Sequence, residues 1–366
     1  MQIALSHVPS RAALLAGAAA LALGAGLPAW AQDSTPVTKG ADIATMCGTK
    51  PTKVALIDGY GSDTWRKITV AELRDEASKC KNVVEVRHVD AGGDQQKYNS
   101  DINSLVAQGY NIIIAFTDFG AAPMPAYRKA HKSGAVMVPW FNNLPGKIGQ
   151  DYADNPYQDS VFVARQWADW YGKILKQGNL VVLGGPPGVD SSRVFLDAFK
   201  DGLKRYPGLK LLDQNYIVTN WNPADGQKAV AGLIAKYPKI DGIASDYGVT
   251  TLAAIKAFEQ AGLPVPAMAT IASSNEMNCK YLAQKKDGKA WKYVSYDGTT
   301  ADIRFVLRRA LAKFQGTKNS ETRGIQPIVY VDSETGMDPK CDPAAPPDAD
   351  LSSLLPSDKL NALFKK

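Results

Sequence analysis

Aromatic, acidic, amide and arginine side chains recur together just behind short apolar runs of this chain. Tyr60, Ser62, Asp63, Trp65 and Arg66 follow the run 54–57, and Asp118 follows 112–116. Trp140, Asn142 and Asn143 close the run 136–140. Further on come Arg193, then Trp221, then Asp246 with Tyr247, Ser273 with Asn275, and finally Asp297. These types together suit a hydroxylated guest. Indole and phenol rings lie against C–H faces, carboxylates and amides accept or exchange hydroxyl hydrogen bonds, and arginine donates in a planar fork. Each residue taken singly has a plainer reading, as core packing for a Trp or as a turn former or helix cap for an Asp.

Catalytic chemistry finds little footing. There is no Gly-x-Ser-x-Gly, His-Glu-x-x-His or Walker loop. Gly59-Tyr60-Gly61 starts like a dinucleotide fingerprint, but Thr64 stands where its third glycine belongs. Gly184-Gly185-Pro186-Pro187-Gly188 has prolines where a phosphate cradle needs N–H donors, so both read as turns at strand ends. Beyond residue 31 only His88 and His131 could serve as bases, one near a strand end and one on a helix. A binding protein is expected, with no enzyme activity, no cofactor and no metal.

The elements that must position these side chains alternate. Apolar runs at 54–57, 83–89, 112–116, 136–140, 180–183, 211–218, 242–245, 268–272, 292–296 and 328–331 read as strands. Amphipathic stretches of helical period lie between most of them. Such alternation predicts an α/β fold of parallel sheets covered on both faces, with ligands beyond the carboxyl ends of the strands. A polar break at 146–158 divides the strands into two sets, hence two doubly wound lobes.

The chain has 366 residues, a formal charge of +6 and scattered Lys and Arg, which argues against a nucleic-acid partner. Residues 1–31 hold Arg11, an apolar run over 12–27 and Ala29-Trp30-Ala31, the order of a cleaved secretory signal. That run has about 16 residues where a membrane span needs roughly 20. In an exported chain four cysteines imply disulfides. Cys47 precedes the first strand and Cys80 ends the helix running back from it, which pairs them and leaves Cys279 with Cys341.

Taken in order, Asp94-Gln95-Gln96, the stretch 108–114, the stretch 130–139, Leu183-Gly184-Gly185, Arg193 with Phe199, and the stretch 254–262 resemble the periplasmic sugar-binding proteins of ABC transporters, of the ribose-binding type. The resemblance covers roughly residues 53–316. It implies a type I periplasmic binding protein whose lobes are joined by a three-segment hinge. The first lobe would be 48–155 plus 298–326, the second 156–297 plus 327–366 including a tail. It also implies a monomer in the periplasm that serves an ABC transporter permease, or a sensor of a sugar or an autoinducer-2-like molecule. Trp65 and Trp221 resemble the family's stacking aromatics, and Phe195 stands where its second arginine would be. Ser273 replaces an acidic residue of the family, which makes ribose itself a poor fit; a different monosaccharide or a polyol is expected.

Overall fold

The computed structural model describes residues 34–61 and 63–365; the expected signal segment 1–31 and Ser62 lie outside the described residues. The first half runs β1 (Ser34–Pro36), β2 (Thr52–Asp58), α1 (Thr64–Ala77), β3 (Val83–Asp90), α2 (Gln95–Ala107), β4 (Ile112–Phe116), α3 (Met124–Lys132) and β5 (Val136–Trp140). The middle runs β6 (Tyr157–Gln158), α4 (Ser160–Ile174), β7 (Gly178–Gly184), α5 (Asp190–Leu203), β8 (Leu209–Leu211), β9 (Ile217–Val218), α6 (Pro223–Lys236), β10 (Gly242–Ser245) and α7 (Gly248–Gln260). Then follow β11 (Ala267–Ile271), α8 (Asn275–Lys286), β12 (Tyr293–Asp297), α9 (Asp302–Gln315), β13 (Gly324–Gln326), β14 (Ile328–Asp332) and α10 (Ser357–Ala362).

Two parallel sheets carry this α/β fold. The first has the order β3-β2-β4-β5, and the second β14-β12-β11-β10-β7-β8 with β9 also paired to β7. Their central strands are apolar throughout because helices cover both faces: Ile112, Ile113 and Ile114 of β4 are all buried. On one face of the first sheet lie α1 and α9, on the other α2 and α3. The second sheet is covered by α4 and α5 on one face and by α6, α7 and α8 on the other. Each large apolar side chain so buried contributes about 1.5–3 kcal/mol relative to exposure.

The chain passes between the sheets more than once. It leaves β5 for β7, returns from β12 to α9 on the first sheet, and goes back to β14, which pairs antiparallel with β12. Two of these passages, β6 and β13, pair with each other, and β1 adds to the far side of β13. Helix α9 is tied to α1 through buried ion pairs. Arg304 bonds Glu76 at 2.8 Å and Asp75 at 2.7 Å, and Arg308 bonds Glu76 at 2.8 Å.

Where the structure departs from the sequence reading, the causes are local. The stretch 211–218 is not one strand but two short ones, because Asp213 accepts from the Asn215 N–H at 3.1 Å and turns the chain between them. Helix α8 carries no amphipathic pattern that would announce it. Both expected disulfides are present: Cys47–Cys80 and Cys279–Cys341, with Cα–Cα separations of 5.2 and 4.9 Å. The tail, placed with the second lobe by sequence, packs on α1 of the first sheet as well as on α8 of the second.

Candidate functional site

A cavity of about 70 Å³ lies between the carboxyl ends of the two sheets, where open α/β sheets take ligands. A water needs roughly 10–15 Å³ by the same kind of measure, so the space suits a few waters or one small guest. From the first sheet come Asp63, Trp65 and Arg66 at the start of α1, Phe116 at the end of β4, and Phe141 just after β5. From the second come Ser191 and Phe195 of α5, Trp221 after β9, Asp246 and Tyr247 after β10, and Ile271 and Ala272 at the end of β11. Gln158 of β6 and Thr299, after β12, come from the passages between the sheets.

The first wall is built on a buried cation. Arg66 donates from Nη1 to Asp58 at 2.6 Å and from Nη2 to Asp118 at 2.9 Å, and its guanidinium lies 3.5 Å from the centre of the Phe116 ring. His88 Nε2 sits 2.7 Å from the other oxygen of Asp58. Trp65 donates from Nε1 to Thr299 Oγ1 at 2.8 Å and stacks on Trp140, with centroids 6.4 Å apart. Asp63 caps α1 by accepting from the Arg66 N–H at 2.8 Å while facing the cavity. Burial alone would push Asp58 up, yet Arg66 and His88 hold it below the ordinary carboxylate range. Burial raises Asp118 to about 6 despite the pull of Arg66.

The second wall has no such cation. Asp246 accepts from Ser192 Oγ and, at 3.1 Å, from Trp221 Nε1, and burial pushes its carboxyl up to about 6. Backbone strain stands in place of ion pairing. Among the described residues five non-glycines have positive φ, and three of them line the cavity: Trp221 at 51° and Ala272 at 52° on this wall, and Phe141 at 91° on the first. Such conformations cost on the order of 1–3 kcal/mol each and cluster at ligand sites. Gly185 is the seat for the indole of Trp221, because a Cβ there would come within 2.3 Å of the ring.

Of the residues singled out by sequence, Asp63, Trp65, Arg66, Trp221, Asp246 and Tyr247 meet at the cavity. Asp118 and Trp140 lie one layer behind, holding Arg66 and Trp65. The others do not line the cavity. Tyr60 packs on Phe119, and Asn142 donates to Asp190 at 3.0 Å, a link from the first sheet's loop to α5. Asn143 is exposed, and Arg193 is 60% exposed with its charge spent on Asp190 and Asp197 along its own helix. Ser273 donates to Asp297 in a buried pair, and Asn275 turns its amide to tail carbonyls. Phe116 and Phe141 end or follow apolar runs and share the strand-end signal of their neighbours. Gln158 and Thr299 carry no such signal, since only the passages between the sheets bring them here.

Aromatic faces and carboxylate acceptors from two sides can hold a small ligand that has nonpolar faces and many donors. Among the described residues no group of three or more His, Cys, Asp or Glu side chains could hold a metal ion. The family model for the periplasmic binding protein domain matches residues 54–300. Solved structures of similar fold include the Caulobacter myo-inositol binding protein bound to myo-inositol, at 22% identity and a TM-score of 0.66, covering 78% of this chain and 95% of that one. An Actinobacillus succinogenes ABC transporter periplasmic solute binding protein with bound D-allose matches at 20% identity and a TM-score of 0.66, covering 77% and 98%. The fructose binding periplasmic domain of a hybrid two component system matches at 18% identity and a TM-score of 0.66, covering 77% and 91%. Two doubly wound sheets, a cavity at their facing carboxyl ends and a family pattern spanning both place the chain among the periplasmic binding proteins, the family to which it belongs.

Proposed function

We propose that the protein captures a small, uncharged, polyhydroxylated ligand, a monosaccharide or polyol, and delivers it to an ABC transporter permease in the periplasm. One observation carries this reading. Trp65 and Trp221 reach a shared cavity from different sheets, alongside two carboxylates, Asp63 and Asp246, held by a backbone N–H and by hydroxyl and indole donors respectively. Arg66, the arginine that lines the cavity among the described residues, is already engaged by Asp58 and Asp118. A hydroxyl-rich guest donates to these carboxylates, whereas a sugar acid would meet like charge.

In this reading residues 48–155 plus 298–326 form one lobe and 156–297 plus 327–366 the other, and they move about the passages between the sheets. Ligand touches both lobes only when they are closed, so differential contact draws them together. The permease then reads the closed surface. Relatives support the ligand class, since similar folds are described with myo-inositol, D-allose and fructose. The last of these belongs to a two component system, which favours a sensory role as the second reading.

A thermal-shift screen over neutral monosaccharides, polyols and sugar acids tests the proposal. A ligand at a hundred times its Kd adds about 2.7 kcal/mol to apparent stability. Trp221→Ala is expected to weaken the ligand so found by tenfold or more. A screen in which only sugar acids stabilise, or a Trp221→Ala protein of unchanged affinity, would sink the reading.

A further inference from the structure

The tail beyond Asp338 holds both lobes at once. Its first part is fastened to α8. Cys341 is bonded to Cys279, and the Asn275 amide donates to the carbonyls of Asp342 at 2.7 Å and Ala345 at 3.2 Å. The N–H groups of Asn275 and Glu276, which open α8, donate to the carbonyls of Ala349 and Pro347, both at 2.8 Å. Its second part is fastened to α1. Ser353 Oγ and the Leu354 N–H both donate to Glu72, at 2.6 and 2.8 Å, and Lys359 pairs with Asp75 at 2.5 Å. Ala349, Leu351, Leu355 and Leu360 bury an apolar face against Ile68. Between the two anchors Ser352 Oγ accepts from the Gly298 N–H at 2.7 Å, on the passage from β12 to α9.

We infer that residues 342–365 are a strap that holds the lobes closed and has to leave α1 before the cavity can open. The anchors are unequal. A covalent bond fixes the strap to the second lobe, while only noncovalent contacts fix it to the first, so separation of the lobes peels it from α1. The peeled contacts begin at the cavity wall itself, because Thr64 hydrogen-bonds Asp348 beside cavity-lining Asp63 and Trp65. The strap is thus a noncovalent latch across the moving interface, set apart from the three backbone passages. It depends on the two-lobe reading but not on which sugar binds.

Small-angle scattering of the sugar-free protein tests it. Leu355→Asp with Leu360→Asp, which leaves the disulfide alone, is expected to raise the radius of gyration above that of the parent; equal values for two folded proteins would overturn the inference. If that variant does not fold, hydrogen exchange in the unaltered protein decides. The Leu354 N–H, bonded to the strap's partner Glu72, should exchange as fast as or faster than the Asn142 side-chain amide, which is bonded to Asp190 from one lobe to the other. An Asn142 amide that exchanges ahead of Leu354 would mean the lobes part with the strap in place, and would overturn it too.

Discussion

The two walls of the cavity reach similar ends by different means. The first is held by charge: Arg66 sits between Asp58 and Asp118 and against Phe116, so the cation and these two carboxylates are paired. The second is held by backbone: Trp221 and Ala272 adopt left-handed conformations, and Asp246 is buried among hydroxyl, indole and backbone N–H donors in place of a cation. A wall built on ion pairs is rigid but fails badly when one partner goes. A wall built on local strain keeps its fold when a side chain changes, and is the more easily retuned to a different guest.

Three substitutions can break or sharpen that contrast. The largest effect is expected at Arg66→Met, which leaves Asp58 and Asp118 buried without their cation and should cost about 3–5 kcal/mol in urea unfolding. A loss under about 1 kcal/mol would show that the first wall does not rest on the pair. Asp246→Asn should act in the opposite direction. Its carboxyl titrates near 6 when folded against an ordinary value of 3.8, so the folded state carries a charge penalty above pH 6 that fades as the pH falls toward 4. The asparagine protein should therefore be more stable at pH 8, on the order of 3 kcal/mol, and nearly match the parent at pH 4. A gain that persists at pH 4 would assign the effect to packing. Ala272→Gly, which relieves the positive φ at 52°, should stabilise by about 1 kcal/mol or less. A clear destabilisation would show that the methyl's packing outweighs the strain.

Much of the fold was legible because it rests on alternation. Runs such as Ile112–Phe116 are buried on both faces and leave an unbroken apolar signature. The candidate site was legible where it obeys the strand-end rule, as at Trp65, Arg66, Trp221 and Asp246. The same rule overreached at Ser273 and Asn275, whose polar groups serve the end of β12 and the tail, and at Arg193, which points along its own helix. It fell short at Gln158 and Thr299, which arrive through long-range passages that leave no periodicity. Helix α8 escaped for another reason. A helix polar on nearly every side gives no stripe to read, and this one is steadied by chain that lies some seventy residues away.

That last feature bears on the order in which the molecule matures. Since the opening N–H groups of α8 are satisfied by carbonyls of residues 347 and 349, they depend on water for partners while the chain is still being delivered amino end first. A ribosome or translocation channel that stalls near residue 340 would strand a protein whose strands are all made but whose helix α8 lacks the tail carbonyls that receive its opening N–H groups.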